Sequence, residues 1–326
     1  MVELNSIKSR TYSRLGQRGA IFGMAVNETA ANNPDFILLT ADLATLSGLD
    51  RYIKQFPRQF VNVGIAEQNM VGMGAGLAAE GFLPCMTTYA TFLTMRSCEQ
   101  IRHYFGYMGL KGILIGSGAG LSQGFAGNTH YTIEDMAIMR AVPNITILSP
   151  ADAGSAVKVF EESLDAPNAV YIRLTGTLPC PIVYKTDAKF TIGRSNILRD
   201  GSDIVIIACG TMVSEALKAA DILAEKSISA SVIDMYSIKP IDTETILNLK
   251  GKKMVVTVEE HSTIGGLGGA VAEVICAAAD MPRMLKLGIS DKFDLASDYK
   301  GLLIQNRLTA ELIAEDIVKN MSLVTE

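Results

Sequence analysis

Glu67 is an acidic residue within a run of small and apolar residues. It lies in the segment VNVGIAEQNMVGMGAGLAAEGFL, residues 61–83, where glycines and alanines favour close packing of backbones. An unpaired buried carboxylate is unfavourable, so such an acid lies at a rim, is paired, or takes part in chemistry. The pattern around Glu67 predicts a strand that ends at a glycine and a helix with Glu67 in its first turn, where the helix dipole favours an acid. Two alternatives therefore stay open, a capping acid and a functional one.

The three histidines, His103, His130 and His261, are the other candidates for chemistry. His130 follows the glycine-rich segment IGSGAGLSQGFAGN, residues 115–128, and precedes a helical pattern, which favours a functional imidazole. His103 lies on a predicted helix, whose polar face is the simplest place for it. His261 precedes GGLGG, residues 265–269, where glycines favour a turn and a helix start at a subunit contact.

The composition limits the class of protein. The chain has 326 residues, of which 48% are hydrophobic and 19% charged, as in a globular protein with large cores. A net charge of −5 argues against a nucleic-acid partner. No apolar run is long enough to span a bilayer and no secretory signal is apparent, so we expect a cytoplasmic protein without a membrane partner. The five cysteines are scattered and form no CxxC pair, which favours neither a zinc site nor a disulfide framework.

Short apolar runs alternate with longer helical patterns along the chain. This alternation predicts an α/β fold with a parallel sheet covered on both faces. Residues 175–190 contain two prolines and no clear periodicity, and we interpret them as a connection between two domains, residues 1–180 and 181–326. The predicted strands are 36–40, 83–89, 112–116, 145–150, 169–174, 203–210, 229–240 and 253–260, and the predicted helices are 67–80, 91–108, 132–141, 151–164, 213–226, 242–249, 266–279 and 308–320.

Three segments together resemble the transketolase family of thiamine-diphosphate enzymes. They are FVNVGIAEQNMVGMGAGLAAEGFLPCMTTYATF, NTHYTIEDMAIMRAVPNITILSPAD and VVTVEEHSTIGGLGGAVAEVI, and the similarity covers nearly the whole chain. It implies a parallel-sheet pyrimidine-binding domain in residues 1–180 and a smaller α/β transketolase C-terminal domain in residues 181–326. GIAEQNM and the ending LGISDKFDLASDYKGLLIQNRLTAELI look most like the C-terminal subunit of split transketolases.

The resemblance implies roles for individual residues. In the family, the glutamate at the position of Glu67 hydrogen-bonds N1′ of the aminopyrimidine of thiamine diphosphate and so promotes cofactor activation. Asp42 matches an acid near the thiazolium, and Phe92 matches an aromatic residue that contacts the aminopyrimidine. Met95 replaces a further aromatic residue and can contact a ring through sulfur. His130 matches a histidine that binds donor-sugar hydroxyls and the reacting oxygen, so Glu67 and His130 are the expected catalytic residues.

Further positions concern the substrate. Arg18 and Arg173 match arginines that bind the acceptor's terminal phosphate, and a guanidinium also suits a sulfonate. His103 fits a substrate-binding residue only in the deoxyxylulose-phosphate synthase branch. The family's aspartate four residues before the histidine is Ala126 here. We therefore expect a less usual ketose donor, such as a deoxy, branched or sulfonated one.

The GDG-type loop that binds the diphosphate and its metal in the family does not occur in this sequence. We therefore expect no metal ligand in this chain, thiamine diphosphate as the cofactor, and Mg²⁺ or a similar ion held by a separate N-terminal subunit in a heterotetramer. The expected reaction is transfer of a two-carbon ketol unit from an anionic ketose to an aldose. The alternatives are a deoxyxylulose-phosphate synthase-like or ketoacid-dehydrogenase β-like subunit, and a non-catalytic regulatory subunit, against which Glu67 and Phe92 argue.

Overall fold

The strands form two sheets, in agreement with the two α/β sets predicted from the sequence. The computed structural model describes residues 2–322, apart from the side chain of Ser322. In chain order the strands of this part are β1 Phe36–Thr40, β2 Phe60–Asn62, β3 Leu83–Tyr89, β4 Ile113–Ser117, β5 Thr146–Leu148, β6 Val170–Arg173, β7 Asn196–Arg199, β8 Ile204–Ala208, β9 Ala230–Asp234, β10 Ser237–Lys239, β11 Met254–Ser262 and β12 Arg283–Ile289.

The first sheet is parallel except at one edge. Within residues 2–322 it has seven strands in the order β10-β5-β6-β4-β3-β1-β2, and only β10 pairs antiparallel with its neighbour. β1, β4 and β6 are buried along their whole length, so their sequences are mostly apolar and do not alternate between apolar and polar residues. β10 comes from the second half of the chain, and the two sheets are therefore not separated by the predicted boundary between residues 180 and 181.

The second sheet is smaller. Among the described residues it has five strands in the order β12-β11-β8-β9-β7, with β7 as an antiparallel edge. β8, β9 and β11 are fully buried, since helices cover both faces. The observed fold thus confirms the predicted class, an α/β chain with a larger mostly parallel sheet followed by a smaller one.

Each predicted helix except 91–108 corresponds to one observed α-helix. The helices Ser6–Ala20, Val26–Asn32, Asp50–Gln55 and Tyr299–Gln305 were not predicted. Residues 91–108, predicted as one helix, form two π-helical segments, Phe92–Arg96 and Ile101–Tyr107, on either side of a short α-helix. Among residues 2–322 no helix is both long and apolar enough to span a bilayer. The α-helices are α1 Ser6–Ala20, α2 Val26–Asn32, α3 Asp50–Gln55, α4 Glu67–Ala79, α5 Cys98–Gln100, α6 Asp135–Ala141, α7 Ala153–Leu164, α8 Met212–Glu225, α9 Thr243–Leu247, α10 Leu267–Cys276, α11 Tyr299–Gln305 and α12 Ala310–Ser322.

Asp152, two residues after Pro150, is the N-cap of α7. Asp152 Oδ1 accepts a hydrogen bond from the Ser155 amide at 2.7 Å, and Ser155 Oγ accepts one from the Asp152 amide at 2.9 Å. The other carboxylate oxygen accepts from the amides of Val183 and Tyr184 at 2.8 and 2.9 Å. The connection between the domains, residues 174–195, contains no helix or strand. The Asp152 side chain therefore stabilises both the start of α7 and this connection.

Candidate functional site

A cavity of about 490 Å³ lies where four strands of the first sheet end. The carboxyl ends of parallel strands meet at one edge of a sheet, which is the usual ligand-binding edge of α/β folds. Each of β1 to β4 is followed by a segment that contributes to the wall. The lining consists of Ala41, Asp42, Leu43, Leu46, Ile65, Glu67, Thr88, Tyr89, Phe92, Gln123, Phe125, Ala126 and His130. The structure thus brings together four predicted site residues, Asp42, Glu67, Phe92 and His130.

Glu67 is the first residue of α4, and its side chain is only 3% exposed. Both of its carboxylate oxygens lie 2.7 Å from Nη1 of Arg96, which donates to them. The Arg96 guanidinium carbon also lies 4.3 Å from the centroid of the Phe92 ring, a cation–π geometry. The buried charge is therefore compensated within the chain, by a residue that the sequence analysis did not single out. Its signal was the spacing of four residues from Phe92, which places two side chains on one side of a helix.

Thr88 provides a test of whether the cavity fits the expected cofactor. Its side chain is 1% exposed, it lines the cavity, and its hydroxyl has no hydrogen-bond partner among the described residues. A buried hydroxyl without a partner is unfavourable, so this atom suits a ligand that supplies a hydrogen bond. With the Glu67 carboxylate and the Phe92 ring beside it, the set fits a flat heteroaromatic ring with polar edges, such as an aminopyrimidine.

Asp42 is the second residue after the end of β1. Its φ is 57°, in the left-handed region that residues other than glycine seldom adopt. The Asp42 amide donates to Asn62 Oδ1 at 3.0 Å, which joins the ends of the two neighbouring strands β1 and β2. The exposed carboxylate stands at the cavity wall, separate from Glu67.

His130 lies in the segment between β4 and α6, and its ring is partly buried. Its ring centroid is 5.6 Å from that of Phe92 and 6.2 Å from that of Tyr89, both in edge-on geometry. Thr129 Oγ1 lies 2.9 Å from His130 Nδ1, within hydrogen-bond distance. Contacts with the Tyr89 and Phe92 rings therefore hold the imidazole at the cavity wall.

Met95 and His103 do not line this cavity. Met95 is 39% exposed, and its sulfur is 3.7 Å from the Thr91 hydroxyl. The His103 side chain is 53% exposed and packs edge-on against the rings of Tyr104 and Tyr107. The roles expected for Met95 and His103 came from the family resemblance, and their placement outside this cavity does not fit those roles. Both residues lie in π-helical segments, Phe92–Arg96 and Ile101–Tyr107, in which the side chains point in different directions from those of a regular α-helix.

Arg18 lies in a second cavity of about 310 Å³ beside the first. Gln123 and Phe125 belong to the walls of both cavities. The other polar groups around Arg18 include Ser122 and Thr177. Among residues 2–322 no carboxylate pairs with Arg18, so its guanidinium is available to an anion.

Arg173 is placed differently from the prediction. Its side chain is 1% exposed, and Nε donates to Asp135 Oδ2 at 2.8 Å while Nη2 donates to the Glu260 carbonyl at 2.8 Å. It lines neither of the two cavities described above. The predicted anion-binding role of Arg173 therefore does not fit this placement, because its charge is already neutralised in the interior.

His261 is buried at the contact of the two domains. Its Nε2 accepts from the Ala137 amide at 3.3 Å, and its Nδ1 lies 2.7 Å from the Ser262 carbonyl. Burial lowers the pKa of the His261 imidazole to about 4. The neutral ring therefore has one donor and one acceptor, each with a backbone partner, in keeping with a structural role.

Both parts of the chain are similar to known proteins. Residues 17–179 match the transketolase pyrimidine-binding domain, and residues 193–289 match the transketolase C-terminal domain. A protein of Methanocaldococcus jannaschii named as a transketolase C-terminal section is 39% identical over 302 residues, which cover 92% of this chain and 95% of that protein. A 6-deoxy-6-sulfo-D-fructose transketolase subunit of Clostridium sp. is 36% identical over 300 residues, covering 92% of this chain and 91% of that protein.

A solved structure is similar to this chain over almost the whole length of both. It is a split-gene transketolase in an inactive beta4 tetramer, with a TM-score of 0.84 and 37% identity, covering 94% of this chain and 98% of that chain. Sequence and structure therefore agree over both domains. The chain belongs to the transketolase family.

Proposed function

We propose that this chain is the C-terminal subunit of a thiamine-diphosphate-dependent transketolase. The reaction is transfer of a two-carbon ketol unit from an anionic ketose to an aldose. The observation that carries the proposal is the buried carboxylate of Glu67, which begins α4 and lines a cavity with the Phe92 ring and the unpartnered Thr88 hydroxyl. Family membership supplies the class of chemistry, and this set of groups supplies the place for it.

The residues of this chain divide into those for the cofactor and those for the sugar. When bound, thiamine diphosphate supplies a nucleophilic carbon that accepts the ketol unit. Glu67 would hold a proton shared with a ring nitrogen of the aminopyrimidine, while Phe92 would pack against the ring and Asp42 would lie near the thiazolium. His130 would bind hydroxyls of the donor. The roles of Glu67 and His130 require exclusion of water, to which Tyr89 and the apolar residues of the wall would contribute once the ligands are bound.

We further propose that the active enzyme contains a separate N-terminal subunit. The sulfofructose relative is named as a transketolase subunit, and the similar solved structure is a split-gene enzyme. This sequence also lacks the GDG-type loop, so the diphosphate and its Mg²⁺ or similar ion would be held by the partner. A heterotetramer with two copies of each chain is the simplest closed assembly.

The donor is proposed to be a less usual ketose. Ala126 lines the cavity where the family has an aspartate, and the neighbouring Phe125 side chain is 73% exposed. The alanine side chain cannot accept a hydrogen bond from a sugar hydroxyl. A ketose in which this hydroxyl is absent or placed elsewhere therefore loses no binding free energy at this position. Arg18, in the adjoining cavity, would bind the anionic end of the sugar. The name of the sulfofructose relative supports a sulfonate as one such end.

The test is a comparison of donors with the enzyme assembled from both chains. We expect kcat/KM to be higher for a deoxy, branched or sulfonated ketose than for xylulose 5-phosphate or fructose 6-phosphate. Ala126→Asp should raise kcat/KM for the ordinary donors by about 10- to 100-fold, the value of a charge-assisted hydrogen bond. Ala31→Asp, at an exposed position of α2, is the matched control and should change nothing. Xylulose 5-phosphate as the best donor of the unmodified enzyme would refute the donor proposal while leaving the transketolase proposal intact.

A further inference from the structure

The loop of residues 118–134, between β4 and α6, carries much of the wall on the sugar side of the site. Gln123, Phe125, Ala126 and His130 all lie on it and line the cavity. Its regular structure is limited to a single 3-10 turn at Gly124–Ala126. Backbone hydrogen bonds between Gly120 and Thr132, at 2.9 and 3.3 Å, close the loop at its base. The position of the loop relative to the cavity therefore depends on what this base packs against.

Glu260, near the end of β11 in the second domain, is bonded directly to this loop. Its side chain is 1% exposed, and Oε1 accepts from the Leu121 amide at 2.6 Å. Oε2 accepts from the hydroxyls of Thr211 at 2.9 Å and Tyr299 at 2.6 Å. A Cβ at Gly120, whose φ is +66°, would lie 2.2 Å from Oε1. The loop backbone at Gly120 therefore lies so close to the Glu260 carboxylate that only a glycine fits at this position.

The same strand end also holds the far end of the loop. The Ser262 amide donates to the Ile133 carbonyl at 2.8 Å. The Glu260 carbonyl accepts from Arg173 Nη2, and Arg173 Nε donates to Asp135 at the start of α6, both at 2.8 Å. Residues 260–262 thus fix the loop on both sides of the segment that carries Phe125 and His130.

We propose that Glu260 is a positioning residue for donor binding, acting through the loop that carries Phe125 and His130. This inference rests on the proposed function. Glu260 does not line the cavity, and its side chain acts on the sugar subsite through the loop backbone at Gly120 and Leu121. Asp42, Glu67 and Phe92 lie on other segments, and the loop meets this cofactor side where the His130 ring packs edge-on against Phe92 at 5.6 Å. The second domain then has a defined part in the reaction, since it sets the geometry of the donor subsite.

The test compares two substitutions at Glu260 with one at its neighbour. Glu260→Gln keeps an oxygen that accepts from the Leu121 amide, whereas Glu260→Met keeps the length of the side chain and removes the acceptor. Glu259→Met is the matched control. Glu259 is equally buried, but its carboxylate accepts from the amides of Leu267 and Gly268 at 2.6 and 2.8 Å and does not contact the loop.

Hydrogen exchange of the full chain measures the positioning itself. We expect amides of residues 121–131 to exchange at least about tenfold faster in Glu260→Met, because a hydrogen bond to a charged group is lost. Glu260→Gln and Glu259→Met should leave exchange in this segment near that of the unmodified chain. Equal acceleration in both methionine variants would overturn the proposal, since it would show general loosening of the second domain.

Kinetics of the enzyme assembled with its partner measure the consequence. Glu260→Met should raise the KM for the donor by about tenfold or more, with thiamine diphosphate affinity by calorimetry within about twofold of the unmodified enzyme. An unchanged donor KM, or a loss of cofactor affinity instead, would overturn the proposal. Tyr299→Phe removes one donor to Glu260 and keeps the carboxylate, so it should give a smaller effect in the same direction even where the methionine variant fails to fold. An unmodified complex without transketolase activity would refute the proposed function, while hydrogen exchange would still decide the role of Glu260.

Discussion

Glu67 shows how a single acidic side chain is accommodated in an apolar region. Its place at the start of α4 gives it the favourable end of the helix dipole, and Arg96 supplies an opposite charge at 2.7 Å. Glu67 lies in the first turn of α4 without capping it, because the N-cap is Ala66 and the Glu67 carboxylate accepts from Arg96. This favourable position is compatible with a functional role, because Glu67 also lines the cavity. A ligand that hydrogen-bonds this carboxylate must share it with Arg96 or displace it.

Glu67→Gln should abolish most activity of the assembled enzyme and leave assembly intact. The amide preserves size and polarity but cannot take up or release a proton, and positioned acid–base groups contribute about 10²–10⁴ in rate. Steady-state kcat/KM measures the loss, and size-exclusion chromatography measures assembly. Glu80→Gln, at the exposed end of the same helix, is the control and should retain full activity. Turnover of the Glu67 variant within a few-fold of the unmodified enzyme would contradict the assignment.

Asp234 makes stability depend on pH. It is fully buried at the end of β9, where Oδ2 accepts from the Tyr184 hydroxyl at 2.7 Å and Oδ1 has no partner among the described residues. Burial raises the pKa of Asp234 to about 8 from its ordinary 3.8. The native state therefore binds this proton more tightly than the unfolded state. The stabilising contribution is fully present below the unfolded pKa and is lost as pH rises toward the folded pKa.

Asp234→Asn should weaken this pH dependence. The melting temperature of the unmodified chain should fall by more between about pH 5 and pH 8 than that of the variant, because the amide has no charged form to bury. Glu259, whose pKa burial raises to about 7, acts in the same direction and is present in both proteins. Scanning calorimetry at several pH values measures the difference. Asp221→Asn, at an exposed position, is the control, and a variant profile parallel to that of the unmodified chain would argue against the role of Asp234.

At the scale of elements, the start of α7 and the connection between the domains depend on one another. Asp152 bonds the Ser155 amide in the helix with one carboxylate oxygen and two amides of the connection with the other. A helix cap with three backbone donors differs from an ordinary exposed cap, because its loss leaves buried amides unpaired. The connection is therefore ordered by a side chain from outside itself.

Asp152→Ala should lower the free energy of unfolding by about 2–4 kcal/mol, the sum of a lost cap and of unpaired amides at the connection. Asn5→Ala removes the exposed cap of α1 and should cost only about 1 kcal/mol. Chemical denaturation of both variants measures the two values. Equal losses would show that the bonds from Asp152 to Val183 and Tyr184 contribute little.

At the scale of the whole molecule, we expect the chain by itself to bind thiamine diphosphate weakly. It offers groups for the aminopyrimidine but no GDG-type loop for the diphosphate, and Glu67 is already paired with Arg96. Calorimetry with the chain alone and then with its N-terminal partner should show tight binding only in the second case. The apparent stability of the complex should rise with cofactor concentration, since a ligand stabilises the state that binds it. Tight, magnesium-dependent binding by the chain alone would contradict the proposed division of the site.

Much of the fold was accessible from the sequence because its signals are local. The runs 36–40 and 83–89 correspond residue for residue to β1 and β3, since buried parallel strands are mostly apolar and rich in β-favouring residues without alternation. Helix α4 also begins where the pattern placed it. The π-helical turns after β3 were not predicted, because they differ from a regular helix by one residue per turn and leave no change in composition. Helix α11, short and flanked by polar residues, was missed for want of periodicity.

By itself the sequence determined the α/β class, the family resemblance, and the four residues Asp42, Glu67, Phe92 and His130 that the fold brings to one cavity. Only the tertiary structure decided how the charges are compensated. Arg96 pairs with Glu67, and Arg173 is buried against Asp135 instead of lining the site. The physical reason is that burial and ion pairing depend on contacts between residues distant along the chain, as between Glu260 and the loop of residues 118–134. Strand and helix patterns, in contrast, depend on residues that are neighbours in the sequence.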